Sequence, residues 1–418
     1  MFYYFDMIFL MKNKVLLTLF AFPAAVFAQT TNYGQLYVSS ATVMSVVEQF
    51  DNKSSGDFMN DGSLVLYSHY NNDGLVTFSA KTATGVTKLF GKSGVQNISG
   101  GSPMEWNNVE FYNQSSDPVF DLTNQVSIYG KADFFNGIVK NAGRSDILIF
   151  EKNASHDNAG DLSHVDGYVK KNGNQNDFVF PVGNKGYYSY CMISDANNPS
   201  NAYYGRFNFE NSNTLYPHAK KASNILLIDQ KQYWNVDKLS GADDVFLSLF
   251  INKNTTDLQI DTAPYEGLHI VGWDPVQQTW MDLGGVYNDS KNEVTTASKA
   301  LSVCQAFTFA RVVSNDDGVL ADQGMSPNND GYNDFFYIKN IEKYPDNSVE
   351  IYNRWGVRVY DKSGYDNNPA TSFNGISQGR ATISKSEGLP EGVYFYVITY
   401  RDENGVKKEI KSYLYIKK

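Results

Sequence analysis

The chain has 418 residues, a formal net charge of −10, and 29 Tyr and 27 Phe. An acidic balance without clustered Lys and Arg excludes a nucleic-acid partner, because phosphate contacts need such clusters. The length allows two to four domains, and the wealth of Tyr and Phe with no long 3.6-residue apolar stripe points to an all-β protein.

Residues 1–28 have the pattern of a secretory signal. Lys12 and Lys14 precede the apolar run 15–27, and Val26-Phe27-Ala28 fits a small-residue cleavage site, so the mature chain is expected to begin at Gln29. Later segments fall short of the roughly 20 apolar residues a spanning helix needs. Cys191 and Cys304 each sit in an apolar alternating segment, and two readings fit them: one disulfide between the pair, or two buried free thiols.

Residues 29–171 consist of short strands punctuated by Asn, Asp and Gly. Asn60-Asp61-Gly62 precedes Ser63-Leu64-Val65-Leu66-Tyr67, and Asn72-Asp73-Gly74 precedes Leu75-Val76-Thr77-Phe78, reusing a positive-φ turn before an alternating strand. Further strands are predicted at 86–90, 109–112, 126–129, 137–139 and 147–150. Such a pattern suits a sandwich or a parallel β-solenoid, whose thin coils must stack to bury a core. Segments 96–101, 106–111 and 126–130 look like successive solenoid rungs. The region resembles the β-helical stretches of large surface proteins from gliding Gram-negative bacteria.

Residues 172–313 open with the segment 176–184 and carry strands at 232–236, 245–250, 268–273 and 307–312, the pattern of a β-sandwich. The run His164-Val165-Asp166-Gly167-Tyr168-Val169-Lys170-Lys171, with Phe180-Pro181-Val182-Gly183 after it, resembles a junction in the same class of surface proteins. Residues 314–324 are polar, acidic and glycine-containing, and read as a linker.

In residues 325–418, Met325-Ser326-Pro327-Asn328-Asn329-Asp330-Gly331-Tyr332-Asn333-Asp334 comes first. Residues 349–360 read as one strand in which Gly356 marks a bulge or bend. Pro390-Glu391-Gly392 turns into a central strand, Val393-Tyr394-Phe395-Tyr396-Val397-Ile398, and Ser412-Tyr413-Leu414-Tyr415-Ile416 is the last. A seven-or-so-stranded, immunoglobulin-like sandwich is the simplest container. These four ordered motifs resemble the gliding-motility-associated carboxyl-terminal domain, the type B sorting signal of the type IX secretion system.

That resemblance implies export across the outer membrane by the type IX translocon, retention of the domain on the mature protein, and a partner outer-membrane β-barrel. The residues it assigns to sorting and partner binding are Pro327, Asn328, Asp330, Gly331, Asn333 and Asp334, then Asn353, Arg354, Trp355 and Gly356, then Gly392 and Tyr394. Phe373-Asn374-Gly375 departs from the family pattern, with Phe where Trp is usual; Phe fills a similar core site at smaller volume.

Two readings of the 326–334 loop compete. Ser326, Asn328 and Asp330 alternate and Gly331 follows, as in a calcium loop, which makes Asn328 and Asp330 candidate metal ligands. The twelfth position is Tyr337 and not Glu, and a self-bonded Asx turn accounts for the same residues. No other cofactor is expected. Arg354 and Trp355 form either a packed cation–π pair or a partner contact, and Lys407, Lys408, Lys411, Lys417 and Lys418 a solvated edge.

The five histidines show no zinc spacing, the run from His156 to Asp166 reads as a polar inter-strand loop, and no nucleophile elbow or phosphate loop is present. The expected function is therefore a non-enzymatic adhesin or accessory structural component at the cell surface. Two alternatives remain. One is a polysaccharide-binding or polysaccharide-active protein recognising surface glycans, with Trp106, Trp234, Trp273 and Trp280 either stacking on sugars or lying in the core. The other is a fixed plug or cap of the barrel.

Overall fold

The computed structural model describes residues 29–196, 198–265, 267–299, 301–312, 319–378, 388–402 and 405–417. The expected signal segment 1–28 lies outside these described residues. The chain is all-β, and its first part is a three-sided parallel solenoid.

One side is a seven-stranded sheet running from Thr30–Asn32 through Phe50–Asn52, Tyr70–Asn72, Gln96–Ser99, Val119–Leu122 and Ile138–Lys140 to Val165–Asp166. Another is a six-stranded sheet from Val43–Val46 to Ser155–Asp157. The side between them starts as Gln35–Val38, Asp57–Asn60 and Leu75–Thr77, and continues as Met104–Trp106, Val126–Ile128, Leu148–Phe150 and Val169–Asn174.

Each coil is too thin to bury anything alone, so apolar side chains must stack coil on coil. Leu66, Leu89, Phe111 and Phe134 occupy one inward column in strict register, all fully buried. Phe111 and Phe134 stack at 5.1 Å, and Tyr70 and Trp106 at 6.1 Å.

A polar column supports one corner. Asn32 Nδ2 donates to Asn52 Oδ1 and Asn52 Nδ2 to Asn72 Oδ1, each at 2.8 Å and across 20 residues. Asn72 Nδ2 ends on the Ser102 and Pro103 carbonyls at 3.0 and 3.1 Å. The ladder supplies partners to backbone groups that the corner hides from water. Gly74 is required beside it, because a Cβ there would lie 2.3 Å from the Gly56 and Lys53 carbonyl oxygens.

The expected rungs need correction. Gln96–Ser99 and Asn108–Tyr112 are different sides of one coil, and Val126–Ile128 stacks on Met104–Trp106 in the coil before it. Sharp polar corners separate consecutive strands, so neighbours in sequence turn onto a new side and do not stack.

The solenoid passes into the sandwich without a break. Val169–Asn174 pairs in parallel with Leu148–Phe150 on one edge and antiparallel with Asn198–Asn208 on the other, so the expected 171/172 boundary falls inside a strand. The resulting ten-stranded sheet continues through Tyr233–Ser240 and Ala306–Val312 to Leu268–Asp274 and Thr279–Asp282. A five-stranded sheet containing Phe178–Phe180, Cys191–Ile193 and Leu247–Phe250 faces it. One apolar cluster extends from Val38 in the first coil to Phe309 in the sandwich.

The sandwich also closes the last coil. Phe178 packs on Phe150 at 5.3 Å, and Val182 bridges Val165. The buried Lys171 ammonium donates to the carbonyls of Glu151, Lys152 and Asn172 at 2.7 to 3.2 Å, and burial lowers its pKa to about 8.

Cys191 and Cys304 are free and buried, which removes the disulfide alternative; burial raises both thiols, Cys304 to about 12. Trp106, Trp234, Trp273 and Trp280 are buried core residues.

The carboxyl-terminal module has its own core, from Val319 to Ile416. Among the described residues the expected sandwich is built as a five-stranded sheet plus a two-stranded ribbon. The ribbon pairs Leu320–Ala321 with Ile338–Lys339, and Gly324–Met325 pairs in parallel with the end of Lys407–Ile416. The expected linker 314–324 is thus corrected at its second half: buried Val319 and the two strands after it belong to the module. Residues 314–318 lie outside the described residues.

Candidate attachment site in the carboxyl-terminal module

The strand register gathers the motifs. Tyr352, at the end of Asn347–Tyr352, pairs with Phe395, and Gly392 pairs with Ile416, which in turn pairs with Met325. The turn after Tyr352, the start of the Gly392–Arg401 strand and the loop after Met325 therefore share one end of the sheet. The Arg401–Lys407 pair, the last between these two strands, lies at the opposite end. Residues far apart in sequence form one surface because antiparallel strands return to the same edge.

Local chemistry shapes each loop. Asn353 Oδ1 accepts from the amides of Trp355 at 3.0 Å and Val357 at 2.9 Å, and Gly356 adopts φ +70°. The chain reverses here, so the single strand expected over 349–360 is a hairpin of Asn347–Tyr352 and Arg358–Ser363. Alternation on both sides concealed the turn; the Asn side chain and the left-handed glycine make it.

The 326–334 loop is closed by its own amides. Asn328 Oδ1 accepts from Asp330 N at 3.1 Å, Asp330 Oδ1 from Tyr332 N at 2.8 Å, and the two Asp334 oxygens from Asn329 N at 2.6 Å and Gly331 N at 2.8 Å. Asn329, Gly331 and Asn333 all have positive φ. The Tyr332 amide holds the Asp330 carboxyl below the usual range, with Asn328 adding to the effect. Among the described residues no group of three or more His, Cys, Asp or Glu converges as for a metal ion.

Pro327 is half-buried against Gly375, and Tyr394 is buried with its hydroxyl on the Pro390 carbonyl at 2.8 Å. Phe373 is buried against Tyr360 at 5.1 Å, so Phe fills the aromatic core position. Tyr415 and Lys417 line a shallow groove of about 460 Å³ with Met325, Ser326 and Asn333 at the same end.

Arg354 lies 5.4 Å over the Trp355 ring and reaches Asp177 of the sandwich at 3.3 Å, while Lys299 donates to the Trp355 carbonyl. Trp355 remains 47% exposed. Beside this turn, Phe395 stacks on Phe246 at 4.4 Å. The apolar stack, more than the exposed ion pair, holds the module against the sandwich.

The residues from His156 to Asp166 are not brought together into a site. His156 Nε2 bonds the Val179 carbonyl at 2.7 Å beneath Phe178, and His164 Nδ1 bonds the Gly160 carbonyl at 2.9 Å; burial lowers both imidazoles. Asp157 pairs outward with Lys131, Asp161 takes the Tyr188 amide, and Asp166 bonds Asn184. His156, Asp161 and Asp166 join the last coil to the sandwich.

The all-β body ends in a separately cored module whose loop motifs collect at one end. Residues 319–416 match the CHU_C Type IX secretion signal domain. The module is thus the suspected sorting signal, and it marks the chain as cargo of the type IX system, exported to the surface or beyond. No curated protein matches the chain.

Proposed function

We propose that this protein is a non-catalytic type IX cargo that stays at the cell surface as an adhesin or accessory structural component, held through its carboxyl-terminal module by an outer-membrane β-barrel. The observation that carries this reading is the apolar cluster that runs from the first coil into the sandwich, ahead of the sorting module. A continuous sheet makes a stiff arm, and stiffness is what a displayed binding or structural element needs. On this reading the exposed 326–334 loop, with the part of Trp355 that the sandwich leaves uncovered, is the surface offered to the translocon and the barrel.

Deletion of residues 319–418 tests the export half: the truncated chain should accumulate in the periplasm, and its normal display on the cell surface would sink the proposal. For the anchoring half, the full-length protein should co-purify with a barrel protein without crosslinking. Release of all of it into the medium would overturn that half.

A further inference from the structure

Five of the six strands on one side of the solenoid contribute to an outward apolar column. Val47, Tyr67, Phe90, Tyr112 and Phe135 each follow a position locked in parallel register, at Val46, Leu66, Leu89, Phe111 and Phe134. The ladder extends past the strand ends, since Tyr67 N bonds Val46 O at 3.0 Å and Phe90 N bonds Leu66 O at 2.7 Å. Phe135 is the extra residue of a bulge opposite Tyr112.

Tyr112 is 36% and Phe135 52% exposed, which is unusual for rings that a turn toward the core would bury. Phe90 meets Tyr112 at 5.4 Å and Tyr112 meets Phe135 at 6.2 Å. Coils advance by about 4.8 Å, so the column runs for about 19 Å along the solenoid axis.

A polar column lies two residues back along each strand. Lys88, Glu110 and Asp133 stand on successive coils, with Lys88 paired to Glu110 at 3.0 Å and placed 5.9 Å from the Phe90 ring. Lys92 lies over Tyr67 at 4.3 Å.

These features select an occupant. The backbone groups of this sheet are already bonded between coils, so an extended peptide cannot add to it as a strand. Lys88, Lys92 and Lys131 balance Glu110, Asp133 and Asp157 on this face, so it offers no net charge to draw a polyanion. What fits is a straight, uncharged molecule with apolar faces for the rings and hydroxyls for Lys88, Glu110 and Asp133. We propose that this column binds an extended neutral polysaccharide, one sugar unit per coil. The inference deepens the surface-display reading, on which it rests only for where the solenoid faces; binding by purified protein is independent of export.

The test uses purified residues 29–418 with insoluble cellulose and chitin, a soluble mixed-linkage β-glucan, and alginate as an anionic control. Wild type should be retained by at least one neutral glycan and not by alginate. Retention should fall at least tenfold in Tyr112→Ala/Phe135→Ala. It should also fall in Tyr112→Leu/Phe135→Leu, which keeps apolar cover without a flat ring and so guards against a folding defect. Absence of retention on every neutral glycan, or equal retention by the Leu variant, overturns the proposal. So does a wild-type dimer in size-exclusion chromatography that both variants render monomeric, since the column would then join two copies.

Discussion

Phe178 closes the last coil, and its replacement by Ala reads out whether solenoid and sandwich are one cooperative unit. The ring is 5% exposed, lies 5.3 Å from Phe150, 6.0 Å from His156 and 5.0 Å from Phe180, and has the Lys171 ammonium 5.2 Å above it. Truncating such a side chain costs about 3–5 kcal/mol in lost burial and residual cavity. With a urea m-value of about 3 kcal/mol/M, the midpoint should fall by roughly 1–1.7 M while the slope holds. Trp106 reports on the solenoid, and Trp234, Trp273 and Trp280 on the sandwich. Fluorescence and far-UV circular dichroism should therefore shift together. Two separated transitions with one displaced, or a shift below about 0.3 M, would refute the shared core.

Two further tests address chemistry. Burial lowers the folded-state pKa of His156, with the bond to Val179 opposing it in part. The unfolded value is about 6.5, so the stability contribution is full above that pH and is lost as pH falls toward the folded value, where the unfolded chain takes up a proton the folded chain resists. The stability gap between wild type and His156→Gln should narrow from about pH 7 to about pH 5; a pH-independent gap would contradict the buried neutral imidazole. For the 326–334 loop, calcium at about 1 mM should leave Tm unchanged, because backbone amides already take the Asp330 and Asp334 oxygens. A clear rise in Tm would restore the calcium reading of Asn328 and Asp330.

Much of the fold was legible locally. Strands expected at 86–90, 126–129, 268–273 and 307–312 are observed at Val86–Leu89, Val126–Ile128, Leu268–Asp274 and Ala306–Val312. Alternation and Asn-Gly turns are short-range signals, and they survive whatever packs around them. Stacking was harder to read. Asn32, Asn52 and Asn72 repeat evenly, but the longer coils after Thr77 and Leu89 disrupt the period. The near-even spacing of Tyr67, Phe90, Tyr112 and Phe135 is the sign of the outward column that the sequence carries.

At the attachment site, the residues of each motif could be named from sequence because the motifs are contiguous. Their assembly on one end could not. It depends on Tyr352 pairing with Phe395 and Gly392 with Ile416, which is long-range register.

The amino-acid sequence by itself determined that this protein is all-β, that its last hundred or so residues carry a type IX sorting signal, and roughly where its strands begin and end. Only the tertiary structure decided for a solenoid over a sandwich at the start, joined the solenoid to the sandwich through Val169–Asn174, kept Cys191 and Cys304 apart as thiols, and turned Gly356 into a hairpin. The division follows from range: turns and alternation are set by neighbours in the chain, whereas coil stacking, shared sheets and buried columns exist only once distant segments meet.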